Sequence, residues 1–484
     1  MHDGTWGATR DGTWGGIRDG TRGGAAVSGQ TSPSEWRRVD LVGIGADGWA
    51  GLTDGARDAL TSADVIIGAP RQLDLLPTVV SAERLTWPSP LPPAVGPLLA
   101  RHADRALAVL ASGDPMHYGI GRLLVCHLGA DGLRVHAHPS SISLACARLG
   151  WAVEDVAVVS AVGRDVHTLA AALYPGRRVL VLSSGSGTPA QVAALLAESG
   201  FGASTLTVLG DLGGARESRC GGTASGWGVE REQVPPLNVV AIETRRGAAP
   251  SDQAGRETPR LHLGAGLPDS AYETDGQLTK WEVRALTLAA LAPAPGELLW
   301  DIGGGTGTIG IEWMRAHRSC RAIAVERRED RAARIERNAA ALGVPGLRVV
   351  RGAAPQALDG LGSAPEPGSS DVDAPDAIFV GGGLGVDGVF EACWRALRPG
   401  GRFVANTVTL ESEALLIDLQ ARLGGRLVRL EVSRAEPIGG YTGWVPARPV
   451  TQWSVTKSAP AAASAGDPVD ESAGESASQS GESA

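Results

Sequence analysis

Two short stretches constrain this chain more than any others: "VDLVGIGADG" at residues 39–48 and "LLWDIGGGTGTIGIE" at residues 298–312. Each is an apolar run that breaks into closely spaced glycines. Glycines let the backbone turn tightly and bring a ligand against amides at the start of a following helix. In an open α/β sheet, ligands bind beyond the carboxyl ends of the strands. Two such junctions so far apart predict two ligand sites in two α/β units. A length of 484 residues allows more than one core. As a soft prior it corresponds to about three domains, and two folded domains with unstructured ends fit equally well.

Composition marks where the units begin and end. The opening "DGTWGATRDGTWGGIRDGTRGG" is a decaying, glycine-rich repeat, too short in period for stacked structural repeats, and residues 1–36 are expected to be disordered. "GAAPSDQAGRETP" at 247–259 reads as a linker, and the Ala/Ser/Gly/Glu-rich stretch 458–484 as a solvated tail. Two domains remain, 37–246 and 260–457. In the first, runs such as Val65-Ile66-Ile67, Val179-Leu180-Val181-Leu182 and Leu206-Thr207-Val208-Leu209 alternate with Ala/Leu-rich helical stretches. The second repeats that rhythm from Leu298-Leu299-Trp300 to Ala377-Ile378-Phe379-Val380. Alternation of this kind predicts crossover connections and mostly parallel sheets in both.

A net charge of -9 and a pI near 5.6 argue against a surface that tracks nucleic acid or anionic lipid. Four Phe and four Tyr weaken a base-stacking platform further. No apolar run approaches the roughly 20 residues that span a bilayer, and neither a signal peptide nor a membrane anchor is expected. The five cysteines (Cys126, Cys146, Cys220, Cys320, Cys393) form no CxxC, the usage of a reducing cytoplasm. His136-x-His138 lacks a neighbouring Cys or acid cluster and is expected to be a surface pair; no metal site is expected.

In the second loop, Asp301 closes a strand and Gly303, Gly305 and Gly307 follow before a helical run. A dinucleotide loop would place glycine or alanine at Thr308, so this spacing suits a ligand without a pyrophosphate. Glu326 ends the next strand, placed to accept hydrogen bonds from ribose hydroxyls. Together these residues resemble the S-adenosylmethionine site of class I methyltransferases. The first loop, Gly43 to Gly48, is literally GxGxxG, so a nicotinamide or flavin domain must be considered. That reading needs an acid at the end of the second strand, whereas Asp64 precedes its strand.

"ASGDPMHYGIGRLL" at 111–124 and "HPSSISLACARLGW" at 138–151 resemble landmarks of the tetrapyrrole methylases. "GLPDSAYETDGQLTKWEVRA", "WDIGGGTGTIGIEW", "AVERRED" and "FVGGG" are similar to the partner that methylates carbon 15 of the corrin ring and decarboxylates a neighbouring acetate. In this order the two halves resemble the precorrin-6Y C(5,15)-methyltransferase (decarboxylating) family of cobalamin biosynthesis. The resemblance implies a two-lobed tetrapyrrole methylase fold followed by a Rossmann-like class I domain. It implies S-adenosylmethionine as cofactor, a precorrin as substrate and precorrin-8x as product, with carbon 5 served by the first domain. It also implies self-association through residues 260–445.

By the same resemblance, Gly113, Asp114, Pro115, Ser140, Ser141 and Leu209 approach the cofactor of the first domain, while Gly43 and Gly45 face the tetrapyrrole. Val162 and His117 depart from the family's pattern, and no general base is assigned there. In the second domain Asp301, Gly303, Gly305, Gly307, Glu326 and Gly352 are cofactor candidates, and Gly381 and Gly382 let substrate approach. Tyr272, Glu273 and Asn406 lie where class I folds present substrate groups. A sulfonium methyl is already activated, so alignment and exclusion of water can suffice. A substrate with many carboxylates calls for Arg or Lys. Lys280 and Arg284, spaced four apart, are expected on one helical face, with Arg122 a candidate in the first half. Methylation of RNA or protein, a non-catalytic S-adenosylmethionine sensor and a dinucleotide-dependent oxidoreductase remain as other readings.

Overall fold

The computed structural model describes residues 38–228, 234–247, 261–361 and 374–458. The repeat at 1–36, nearly all of the linker and all but the first residue of the tail lie outside them.

The β-branched runs of the first half form the first sheet, made of β1 (Val39–Ile44), β2 (Val65–Gly68), β3 (Glu83–Thr86), β4 (Leu107–Ser112) and β5 (Leu133–His136). Its order is β3-β2-β4-β1-β5 and every pairing is parallel. Leu41, Val65 and Val109 pack on one face and Val42, Ile66 and Leu110 on the other. Burial on both faces explains why these strands read as unbroken apolar runs.

The second sheet departs from the expected parallel pattern. It comprises β6 (Val156–Ser160), β7 (Arg178–Leu182), β8 (Thr205–Gly210), β9 (Ser218–Thr223) and β10 (Asn238–Glu243), in the order β6-β7-β10-β8-β9. Only β6 and β7 pair in parallel. The reason is connection length: the short link from β8 to β9 permits a hairpin, whereas a parallel pair needs a crossover. The helix Ser141–Leu149 carries the chain between lobes, packing Ile142, Ala145 and Cys146 against Leu180, Leu209 and Val239.

The second half builds a seven-stranded sheet from β11 (Leu298–Ile302), β12 (Arg321–Glu326), β13 (Arg348–Arg351), β14 (Ala377–Val380), β15 (Arg402–Thr407), β16 (Arg426–Leu430) and β19 (Val450–Thr456). The order is β13-β12-β11-β14-β15-β19-β16, with β19 antiparallel to both neighbours. β17 (Ser433–Ile438) and β18 (Tyr441–Pro446) form a separate hairpin. From β11 the chain winds outward to β13, then returns to the other side of β11 as β14. That reversal opens a crevice at the carboxyl ends of β11 and β14. Trp300, Phe403 and Trp453 fill one face of the sheet, and Leu299, Trp313 and Ile335 the other.

The halves meet where Gly343, at φ +83°, lies against Ala171 so closely that a Cβ would come within 2.1 Å of its backbone nitrogen. Among the described residues no helix is long and apolar enough to cross a membrane.

Candidate functional site

The crevice of the seven-stranded sheet holds a cavity of about 1010 Å³. This is the upper end of the roughly 300–1,000 Å³ typical of one ligand, leaving room for part of a second reactant. Its floor is the glycine loop after β11. Gly303, Gly305 and Gly307 have φ of +73°, +59° and +83°, a left-handed conformation that only glycine adopts at little cost. The Gly303 and Gly304 N–H groups donate to Val325 O at 2.9 and 3.1 Å. Gly305 N–H donates to Glu326 Oε2 at 2.9 Å, and Arg328 N–H to Glu326 Oε1 at 2.9 Å. The loop is thereby stitched to the end of β12, and Glu326, only 4% exposed, still lines the cavity.

Asp301 lies beneath the loop, where its Oδ2 accepts from Gly310 N–H at 3.0 Å. Burial pushes its pKa up to about 7; the Gly310 N–H opposes this and the Glu326 charge adds to it. The folded protein therefore keeps a proton that the unfolded chain releases near pH 4. This contribution to stability is full below the unfolded pKa and is lost as pH rises to about 7. We expect Asp301→Asn to gain stability relative to wild type over that interval, on the order of 4 kcal/mol in all. Urea denaturation of both ligand-free proteins from about pH 4 to about pH 8 measures the difference, and a constant gap contradicts the assignment.

The opposite wall is Gly381 and Gly382 after β14, with Gly352 beyond Glu326. A Cβ on Gly303 would lie 3.1 Å from Gly382 O, so the two loops abut. Asn406 lines the cavity with its amide engaged by Thr287 Oγ1 at 2.8 Å and Gln452 Nε2 at 2.9 Å. A strap, residues 276–280, crosses the loop, with Gln277 O accepting from Thr306 Oγ1 at 2.8 Å. Asn338 secures the approach to that strap, donating to Glu273 O and Thr306 O and accepting from Glu273 N–H.

Lys280, Arg327, Arg331, Arg434 and Arg448 surround the cavity. Arg331 is held by Asp275 at 2.9 Å and Arg434 by Glu282 at 2.6 Å. Arg327 and Arg448 pair with no carboxylate among the described residues. The sequence reading missed Arg327, Arg331, Arg434 and Arg448. Arg327 follows Glu326 directly, which is a usable signal, whereas Arg434 and Arg448 reach the site only because of how the chain folds at β17 and after β18.

Four expectations for this half are corrected. Lys280 and Arg284 do not share a helical face: Lys280 is extended, just before the helix Trp281–Leu291, and pairs with Asp269 at 3.4 Å. Arg284 is fully buried, its guanidinium bound to Glu312 at 2.5 Å and to the carbonyls of Leu267 and Thr279. Tyr272 is buried in the same cluster and donates to Glu312 Oε1 at 2.8 Å. Its pKa is raised well above the ordinary value by burial first and then by the Glu312 charge. Glu273 faces outward, paired with Arg337 at 2.6 Å. Gly307 supports the loop from behind, where a Cβ would come within 2.8 Å of Ile335.

In the first half a narrower cavity of about 80 Å³ lies between the lobes, lined by Gly45, Ala46, Gly113, Pro139, Ser141, Leu209 and others. Gly45 thus shares one space with Gly113 rather than facing a separate one. Gly43 permits close packing, since a Cβ there would meet Gly113 O at 2.2 Å. Asp114 and Pro115 shape the turn, Asp114 Oδ1 accepting from Met116 N–H at 2.8 Å and Pro115 O from Gly121 N–H at 3.0 Å. Ser140 caps the helix Ser141–Leu149, and Arg122 is exposed away from the cavity. His136 and His138 are not a surface pair. His136 Nε2 meets Asp40 at 2.8 Å and His138 Nε2 meets Asp47 at 3.1 Å. Asp64 accepts from Ala106 N–H at the start of β2, the wrong end of the strand for a ribose contact.

Family models divide the chain as this geometry does. The model for Tetrapyrrole (Corrin/Porphyrin) Methylases matches residues 38–225, and that for the Precorrin methyltransferase domain matches residues 270–457. The chain is therefore a tandem of two methyltransferase domains. A Sinorhizobium precorrin-6Y C(5,15)-methyltransferase [decarboxylating] is 50% identical over 424 residues, spanning 88% of this chain and 97% of that protein. Its namesake from Mycobacterium tuberculosis is 46% identical over 418 residues, 86% of this chain and 99% of that one. The crystallised C-terminal domain of the Rhodobacter capsulatus precorrin-6Y C5,15-methyltransferase is 47% identical, covering 41% of this chain and 100% of its own, at TM-score 0.37. The chain belongs to the precorrin-6Y C(5,15)-methyltransferase (decarboxylating) family.

Proposed function

We propose that this chain is a bifunctional S-adenosylmethionine-dependent enzyme that methylates precorrin-6Y at carbons 5 and 15 and removes carbon dioxide from the ring C acetate, giving precorrin-8x. Residues 37–246 serve carbon 5, and residues 260–457, a Rossmann-like class I domain, serve carbon 15 and the decarboxylation. The observation that carries this reading is the larger cavity. A glycine loop and the acids Asp301 and Glu326 occupy one side of it, and five cationic side chains line the same space.

The donor set fits the cofactor. Glu326 keeps acceptor capacity for ribose hydroxyls beyond the two N–H groups it already serves. Gly303, Gly305 and Gly352 offer backbone without side chains, and in the first domain Gly113, Ser141 and Leu209 line the corresponding space. When bound, S-adenosylmethionine supplies a methyl group activated by its sulfonium. The chain's part is alignment and exclusion of water. Lys280, Arg327, Arg434 and Arg448 bind substrate carboxylates, and Asn406 shapes the wall beside them. The electrons released by decarboxylation remain in the conjugated substrate ring.

Mass spectrometry after incubation with precorrin-6Y and S-adenosylmethionine tests the reading. Two added methyl groups and one lost carbon dioxide are expected. Unchanged precorrin, or methyl transfer to RNA or protein instead, overturns it. The reading places the enzyme in the cytoplasm, whose reducing conditions suit five widely spaced cysteines with no CxxC.

The same reading includes self-association of the C-terminal domain. The β17–β18 hairpin exposes Tyr441 at 85% and its register partner Ile438 at 58% on one face and Trp444 at 75% on the other, apolar surface of the kind that a second copy covers. Light scattering is expected to give more than a monomer. The double substitution Tyr441→Ser, Trp444→Ser is expected to shift the protein to a monomer, and an unchanged mass contradicts this interface.

A further inference from the structure

His138 is 8% exposed, and its ring lies under the first glycine loop. A Cβ on Gly45 would come within 2.5 Å of His138 Cε1, and one on Gly43 within 3.0 Å of His138 N. The ring meets Asp47 Oδ2 at 3.1 Å through Nε2 and Pro139 O at 3.1 Å through Nδ1. Both partners are acceptors, so a ring with protons on both nitrogens satisfies both contacts. Asp47 itself fits only because Gly51 lacks a side chain, since a Cβ there would lie 1.9 Å from Asp47 Oδ2.

The contacts on either side of this bond matter for the inter-lobe cavity. On one side is the turn Gly45-Ala46, two of its lining residues. On the other is Pro139, with Ser141 two residues on, also lining residues. The second lobe closes on the same turn. A Cβ on Gly214 would lie 3.0 Å from both Ala46 Cβ and Ala46 O, and Leu212 of that loop lines the cavity too. Displacing the turn by a few tenths of an ångström therefore changes the cavity's width and the seat of the second lobe together.

We propose that His138 and Asp47 are positioning residues for methyl transfer in the first domain, their hydrogen bond fixing the Gly45–Asp47 turn against Pro139–Ser141. This rests on the functional reading above, which gives each domain its own methyl transfer. The second domain then serves as an internal control in the same chain.

The test uses the full chain with precorrin-6Y and S-adenosylmethionine, and mass spectrometry distinguishes carbon 5 methylation from carbon 15 methylation with decarboxylation. His138→Leu is expected to raise the cofactor KM of the carbon 5 step roughly tenfold with little change in kcat, the effect of one lost charge-assisted hydrogen bond. The carbon 15 step should proceed at the wild-type rate. Asp47→Ala should do the same, and the double variant should be no worse than either single one. His138→Gln, whose amide nitrogen reaches the place of Nε2, should restore the KM; His138→Asn, which reaches only the place of Nδ1, should not. Equal losses in the Gln and Asn variants, additive losses in the double variant or a wild-type KM in His138→Leu overturns the proposal. If His138→Leu does not fold, the Gln and Asn comparison decides alone. A wild-type chain that transfers no methyl overturns the functional reading instead.

Discussion

Glu326→Ala is expected to abolish carbon 15 methylation and decarboxylation while carbon 5 methylation continues. The side chain is almost wholly enclosed, yet it stands at the cavity with each oxygen holding one backbone N–H, from Gly305 and from Arg328. Removing it frees the glycine loop from β12 and deletes the acceptor for a ribose diol. Hydrogen bonds to a charged group contribute about 1.5–3 kcal/mol each, so losing two weakens cofactor binding by at least about 100-fold. Glu326→Gln should be nearly as severe, because its amide NH2 must face one of two N–H donors. Calorimetric titration with S-adenosylmethionine reads this directly: two sites in the wild type, one in either variant. Retention of both sites would falsify the assignment of Glu326.

What the sequence made legible follows from local chemistry. The β11 loop, with its strand-end acids, is written in consecutive residues, since glycine spacing and an acid closing each strand are short-range features. The strands buried on both faces were equally visible as apolar runs. β9 was not, because "SRCGGT" carries no apolar pattern and pairs only through its connection to β8. Arg284 shows the converse limit. Its spacing from Lys280 predicts a shared helical face turned to the substrate, but Glu312, from a different helix, draws it inward. The partner is 28 residues away, and nothing near Arg284 in the chain announces it. His138 was misjudged for the same reason, since its partner Asp47 is 91 residues distant. Local motifs thus revealed where a ligand lies, while long-range pairs decided which charged groups remain to meet it.

The buried cluster around Glu312 gives the second large effect, on stability. Glu312→Leu is expected to destabilise the C-terminal domain by about 3–5 kcal/mol, the usual cost of leaving one member of a buried ion pair without its partner. Glu312 accepts from Arg284 Nε at 2.5 Å, Tyr272 Oη at 2.8 Å, Leu267 N–H at 3.0 Å and Gly266 N–H at 2.6 Å. Arg284 is fully buried, and Asp269, its remaining acid partner, is 3.3 Å away. For a domain of this size, the loss corresponds to a fall in Tm of roughly 10 °C. The consequence reaches the cavity, because these bonds anchor the start of the segment that ends in the strap 276–280. Cofactor affinity at the second site should therefore fall even at temperatures where the variant is folded. Glu312→Leu combined with Arg284→Met separates two causes. If the stranded guanidinium is the larger part of the penalty, the double variant recovers part of the Tm, since removing the buried charge lifts that cost, while the donors of Gly266, Leu267 and Tyr272 that Glu312 satisfied keep the rest of the loss. It should not recover the cofactor affinity, because Gly266, Leu267 and Tyr272 still lack their common acceptor. Recovery of both would assign Glu312 to charge compensation alone and remove its role in holding the strap.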